Sequence, residues 1–194
     1  MKTIYFIRHG ETTGDIENLY GGDYDDHLTE KGQGEARVLR EKLKEKNIQV
    51  MFTSPLMRAR ETAEILNQGH DVPVKVDPKL KERNWYGELT GVNKDTAKEQ
   101  FPELVALLSD RYNTLPGGES YGDFVKRISE SLREICADEK YERIAVVSHG
   151  GAMRVLFRDI LKQGEIDFGN CAFTELSFNG DALSLITMDG ITLK

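Results

Sequence analysis

Three short stretches carry side chains that could do chemistry together. "IYFIRHGET" places Arg8, His9 and Gly10 directly after the apolar run Ile4–Ile7. "TSPLMRARETA" brings Arg58 shortly after a second strand-like run. "RIAVVSHGG" sets Ser148, His149, Gly150 and Gly151 after a third. Guanidinium forks match phosphate oxygens with paired hydrogen bonds, and glycines let the backbone approach an anion closely. A neutral imidazole is a nucleophile suited to phosphorus, and phosphoryl transfer is catalysed mostly by placement and positive charge. His9 as nucleophile, with Arg8, Arg58 and His149 around a phosphoryl group, is therefore a self-consistent site without metal. Plainer readings exist for each residue. His9 could be a hydrogen-bonded core histidine, and Arg58 a solvated helix residue with its neighbour Arg60. "SHGG" could belong to a Ser–His hydrolase, but the G-x-S-x-G elbow is missing because Val146 occupies its first glycine position.

The elements that would position these groups follow from periodicity. Ile4–Ile7, residues 50–53 and residues 144–147 are short and β-branched or apolar, as buried strands are. Residues 30–46 carry Ala36, Leu39 and Leu43 at helical spacing among charges. Ser54-Pro55 has the chemistry of a helix start, and Leu56, Ala59, Ala63 and Leu66 then line one helix face. "DVPVKVD" is expected as an edge strand interrupted by Pro73. Residues 95–110 are expected to be helical. Ser120 with Asp123 resembles a capping box, opening a helix striped by Phe124, Ile128, Leu132 and Ile135. Asn179-Gly180 predicts a two-residue turn in a C-terminal hairpin. Strands alternating with helices predict an α/β fold with a largely parallel sheet covered on both faces. Ligands of such sheets bind outside the carboxyl ends of the strands, where Arg8, His9, Ser54, Ser148 and His149 would meet.

The chain has 194 residues, a size that favours a single domain over 1–194. Net charge is −7 with a pI near 5.2, which argues against nucleic acid and anionic membranes as partners. Cys136 and Cys171 show neither a disulfide framework nor zinc-ligand spacing. No stretch has the features of a signal peptide or a transmembrane span, so a cytoplasmic protein is expected.

Taken together, "FIRHGET", "TSPLMRARETA", "LKERNWYGELTG", "GGES" and "VVSHGG" resemble the histidine phosphatase superfamily, which includes the cofactor-dependent phosphoglycerate mutases. The resemblance runs through nearly the whole chain, in the same order. It implies a three-layer α/β/α sandwich with a mostly parallel sheet, phosphoglycerate mutase-like. It also implies phosphorylation of His9, phosphate held by Arg8, Arg58 and His149, and Glu82 as the proton donor that later activates water. The stretch "RHGETTGDIENLYGG" follows the mutase branch up to Gly21 and Gly22. Gly21, Gly22, Asp15, Lys94 and Gly150 are accordingly substrate-binding candidates. Asp15 stands where the family usually has Asn, so it either repels a phosphate dianion or points elsewhere. "ERNWYG" has one residue more than usual between Glu82 and Gly87, which leaves Glu88 as an alternative donor. Trp85 and Tyr86 could close over a substrate or belong to the core.

The mutase and phosphatase branches share the phosphohistidine step and differ in what accepts the phosphoryl group. Lys94 within "GELTGVNK" matches a substrate lysine of the mutases. The short segment between Lys94 and "GGES", with Arg111 single where mutases carry paired arginines, matches the phosphatases instead. The expectation is a metal-independent phosphomonoesterase acting on a small phosphorylated metabolite, such as a sugar phosphate, a phosphoglycerate or α-ribazole phosphate. A small cap-like insertion around 84–118 would shape its specificity. The alternatives are a mutase that uses 2,3-bisphosphoglycerate and, in a different class, a non-catalytic phosphate-binding protein. Otherwise no cofactor is expected, and assembly as a homodimer is left open.

Overall fold

A computed structural model describes residues 1–194. In chain order its elements are β1 (Lys2–Arg8), α1 (Thr13–Ile16), α2 (Glu30–Leu43), β2 (Val50–Thr53), α3 (Met57–Asn67), β3 (Val74–Val76), α4 (Lys94–Gln100), α5 (Pro102–Leu107), α6 (Tyr121–Ala137), β4 (Arg143–Ser148), α7 (Gly150–Val155), β5 (Ile166–Phe178) and β6 (Leu183–Leu193). The strands form one sheet in the order β3-β2-β4-β1-β5-β6. The first four in that order run parallel. β5 lies antiparallel to β1, and β6 antiparallel to β5.

Alternation along the strands builds the layers, because successive side chains of a strand point to opposite faces. Ile4, Phe6, Val50, Ile144 and Val146 share a core with Phe124, Ile128, Leu132 and Ile135 of α6 and with Met153 of α7. Tyr5, Ile7, Met51, Ala145 and Val147 face the other way, onto Leu39 and Leu43 of α2 and Ala59, Ala63 and Leu66 of α3. Two cores on two faces of a mostly parallel sheet make the expected α/β/α sandwich. A third, smaller cluster joins Tyr20 to Leu89, Ala97 and Leu115, so residues 84–118 pack on the loop after α1. A bridge between Leu19 and Asn93 fastens the same two segments. No helix is long and apolar enough to cross a membrane.

Three local expectations are corrected. The helix expected over 95–110 is two helices broken at Phe101-Pro102. Proline lacks an N–H and disfavours helical geometry in the residue before it, and Phe101 is accordingly out of the helical region. The C-terminal hairpin turns through four residues, Asn179 to Ala182, with the Asn179 side chain accepting the N–H groups of Asp181 and Ala182. Its strands also begin earlier and end later than the alternating pattern indicates. Ser54 does not cap α3, which starts at Met57 after Leu56. Ser120 does cap α6, accepting from the Asp123 N–H. A reciprocal capping box forms instead at α1, between Thr12 and Asp15.

Candidate active site

The sheet register brings the two histidines together. β1 and β4 are parallel neighbours, with Arg8 opposite Ser148, so both chains leave the sheet at the same level. His9 and His149 follow, and their ring centroids lie 5.1 Å apart. β2 ends beside them with Thr53 opposite Val147, placing Ser54 on the same rim.

The tautomer of His9 is set by its partners. Nδ1 lies 2.8 Å from the Gly10 carbonyl oxygen, which can only accept, so Nδ1 carries the hydrogen. Nε2 therefore holds the lone pair, and it accepts from Arg58 Nε–H at 3.2 Å. Burial holds His9 well below its ordinary pKa, and the Arg58 and Arg8 cations push in the same direction. The ring is neutral, as a nucleophile must be. His149 is fully buried and is held neutral by burial first and by Arg58 second. Its Nε2 lies 2.6 Å from Ser54 Oγ, and that hydroxyl already accepts from the Leu56 N–H. His149 Nε2 is the only acceptor in reach of the Ser54 hydrogen, and that hydrogen given there leaves the hydrogen of His149 on Nδ1. That atom is buried without a protein partner.

Arg58, in the first turn of α3, is buried and almost fully engaged. It donates to the Asp26 carboxylate at 2.7 Å and to the carbonyls of Tyr24 and Gly22. Only Nε is turned to His9. Gly22 can offer its carbonyl here because it adopts a left-handed conformation, with φ of 51°. Arg8 donates to Asn170 Oδ1 at 2.7 Å, while its Nε is buried with no protein partner. Burial lowers the pKa of Arg8, opposed by Asp15 and then Glu82. Two donors, Arg8 Nε and His149 Nδ1, are therefore desolvated without acceptors beside the neutral His9 ring. Buried donors carry acceptors as a rule, and an anionic oxygen fits both.

Glu82 sits at the junction of two cavities. Its carboxylate accepts the Gly151 N–H and the Arg83 N–H, each at 2.8 Å. The inner cavity, about 170 Å³, is lined by Arg8, His9, Asp15, Gly21, Gly22, Arg58, Lys94 and Gly150 together with Glu82. Nine of the candidates named from the sequence therefore share one chamber, while His149 is fully buried outside its lining. The outer cavity, about 450 Å³, begins at Gly22, Glu82 and Tyr86 and extends to Trp85, Arg111 and Arg154. It is larger, but Arg8, His9 and Arg58 line only the inner one. Glu88 is exposed and lines neither. Asp15 lines the chamber and also accepts the Thr12 N–H at 3.1 Å. No group of three or more His, Cys, Asp or Glu side chains is placed to hold a metal ion.

Residues 4–189 match the family model of the histidine phosphatase superfamily (branch 1). The chain belongs to that superfamily. It is 37% identical over 164 residues to a 2,3-bisphosphoglycerate-dependent phosphoglycerate mutase of Methylobacterium sp. (strain 4-46), covering 80% of this chain and 78% of the relative. It is 30% identical over 159 residues to an adenosylcobalamin/alpha-ribazole phosphatase of Salmonella typhimurium, covering 81% and 79%. Among solved structures it superposes on Bacillus stearothermophilus YhfR with a TM-score of 0.86, at 26% identity and 95% coverage of both chains.

In this member of the superfamily, reading the sequence missed two partners of Arg58 and Arg8. Asp26 lies in the run "GGDYDDHL" among three aspartates, and nothing local distinguishes the one that turns inward. Asn170 lies on β5, outside every motif. Tyr86, left open between core and site, lines both cavities. Its phenol is pushed up to about 12 by burial and then by Glu82, so it stays a neutral hydroxyl.

Proposed function

We propose that the protein is a metal-independent phosphomonoesterase that acts on small phosphorylated metabolites through a phosphohistidine at His9. The observation that carries this reading is the His9 Nδ1–H···O=C hydrogen bond to Gly10, which leaves the Nε2 lone pair toward the chamber beside Arg8 and Arg58. The phosphoryl oxygens take the Arg8 Nε–H, the Arg58 Nε–H and the His149 Nδ1–H. Taking the Arg58 Nε–H also releases the His9 lone pair. Nε2 attacks phosphorus as the ester P–O bond breaks, and Glu82 gives its proton to the leaving oxygen. Glu82, now a carboxylate, then takes a proton from water as that water attacks the phosphohistidine, returning inorganic phosphate and neutral His9. General acid–base help of this kind contributes about 10²–10⁴ in rate. The single sheet, with residues 84–118 packed over the site, is read as one domain with a small cap.

The mutase reading keeps one specific observation: Lys94 lines the chamber. The test is a paired assay without metal. It measures hydrolysis of p-nitrophenyl phosphate and conversion of 3-phosphoglycerate with and without 2,3-bisphosphoglycerate, alongside His9→Ala. Hydrolysis and an acid-labile phosphoprotein, both absent in His9→Ala, support the phosphatase. Isomerisation that requires bisphosphoglycerate supports the mutase. A phosphate-binding protein without turnover would show neither.

A further inference from the structure

The outer cavity is electropositive in a chain of net charge −7. Arg83, Arg111, Arg154 and Arg158 line it against only Glu82 and Glu165. Three of these arginines are committed to the protein. Arg83 donates to the carbonyls of Glu119, Arg111 and Asn113. Arg111 pairs with Glu165, and Arg158 pairs with Asp159 and Glu165. Arg154 differs from them. It gives one N–H to the Ile166 carbonyl at 2.8 Å and has no carboxylate partner.

Its position relative to the reacting centre is also defined. Arg154 lies three and four residues beyond Gly151 and Gly150 on α7, so it shares their helix face. Gly151 holds the Glu82 carboxylate. Three residues, about 4.5 Å of helix rise, therefore separate the backbone that holds the Glu82 carboxylate from that of Arg154. Phe168 fixes the side chain: the Arg154 guanidinium lies 4.6 Å from its ring centroid, and the Arg8 guanidinium 5.4 Å from the same centroid. One aromatic ring thus carries two cations, Arg8 lining the inner cavity and Arg154 the outer.

We propose that Arg154 binds a second acidic group, carboxylate or phosphate, on the alcohol part of the substrate, making the enzyme selective for phosphomonoesters of anionic alcohols. This rests on the reaction proposed above, in which the alcohol leaves past Glu82. A guanidinium that is half-buried, stacked and free of carboxylates can offer a charge-assisted pair of hydrogen bonds, and an uncharged leaving group would leave that cation unmatched.

Two matched substrate pairs test it: 3-phosphoglycerate against glycerol 3-phosphate for a carboxylate, and fructose 1,6-bisphosphate against fructose 6-phosphate for a phosphate. The readout is the ratio of kcat/KM within each pair. In the wild type at least one charged member is expected to be preferred by about 10-fold or more, the scale of one charge-assisted interaction. Arg154→Gln is expected to bring that ratio near one, and Arg154→Lys to restore part of it. The pair that responds identifies the acidic group. A wild type without preference in either pair, or a preference that survives in Arg154→Gln because both substrates fall together, overturns the inference and leaves the phosphohistidine reaction standing. Failure of the wild type to hydrolyse p-nitrophenyl phosphate, with no phosphorylation of His9, would refute the reaction itself and this inference with it.

Discussion

Replacing Gly151 by alanine tests the part given to Glu82 without touching its carboxyl group. A Cβ at that position would lie 2.3 Å from Glu82 Oε1 and 3.2 Å from Oε2. The carboxylate must retreat until the nearer distance exceeds 3.0 Å, a displacement of at least about 0.7 Å. That strains or breaks the 2.8 Å hydrogen bond it accepts from the Gly151 N–H. The backbone does not resist the change. Gly151 is the second residue of α7 and has no left-handed conformation, and alanine is favoured over glycine in a helix by about 1 kcal/mol. The protein should fold with an unfolding midpoint close to that of the wild type. A catalytic group misplaced by about 1 Å costs on the order of 100-fold, so phosphorylation of His9 by glycerol 3-phosphate should slow by about that factor. With p-nitrophenyl phosphate the leaving phenolate needs little protonation, and the same step should slow by less than about 10-fold. The assay is the phosphorylation rate in a single turnover, since the later hydrolysis step also uses Glu82. Glu82→Gln should show the same split between the two esters. Equal losses on both esters, or no loss on the alkyl ester in a folded Gly151→Ala protein, would refute the role given to Glu82.

Three further outcomes are expected. Asp26→Ala leaves Arg58 buried without its carboxylate and should cost about 3–5 kcal/mol of stability in urea unfolding; a loss under about 1 kcal/mol would show that the two carbonyl partners suffice. His9 and His149 are both held well below 6.5 in the folded state, so the unfolded chain takes up protons first as pH falls. Stability should therefore be full above about 6.5 and decline as pH drops toward the depressed native values, and His9→Gln should make that decline shallower by up to about 1.4 kcal/mol per pH unit; a flat unfolding midpoint between pH 7.5 and pH 5 would contradict this. The exposed His27–Glu61 pair acts in the opposite sense but is screened by solvent. Asp15→Asn should tighten inhibition by inorganic phosphate, by less than about 5-fold because Asp15 is exposed; unchanged inhibition would mean that its role is the cap on Thr12.

The architecture was legible where one periodicity ran unopposed. Ile4–Ile7 and Ile144–Val147 have no polar residue to split the signal, and both proved to be central strands with alternate residues in opposite cores. Legibility failed where a short local rule met a stronger partner. Leu104, Val105 and Leu108 continue the helical spacing of residues 95–110, but Pro102 supplies no N–H and the pattern is cut there. Asn179-Gly180 is a strong turn signal, yet the Asn179 side chain accepts two backbone N–H groups itself and widens the turn.

The helix start at Ser54 failed for a reason that also explains the site. The first N–H of α3, that of Met57, is taken by the Asp25 carboxylate at 2.7 Å, so no serine cap is needed. Each aspartate of "GGDYDDHL" is committed to a different group: Asp23 pairs with Lys81, Asp25 holds the start of α3, and Asp26 pairs with Arg58. Three acids in a polar loop look alike in sequence, because what separates them is the approach of α3 and of Lys81, elements remote from them in the chain. Arg58 was legible because it follows the strand-like run 50–53 by about one helical turn. Its counter-ion was not, since any of the three could have supplied it. Ser54, relieved of capping, is left to hold His149 by Nε2, with Nδ1 buried and without a protein partner. The same acidic loop thus holds Arg58 through Asp26 and the start of α3 through Asp25, and exchanging Asp25 for alanine should lower stability in urea unfolding by about 1 kcal/mol, the usual cost of a lost cap.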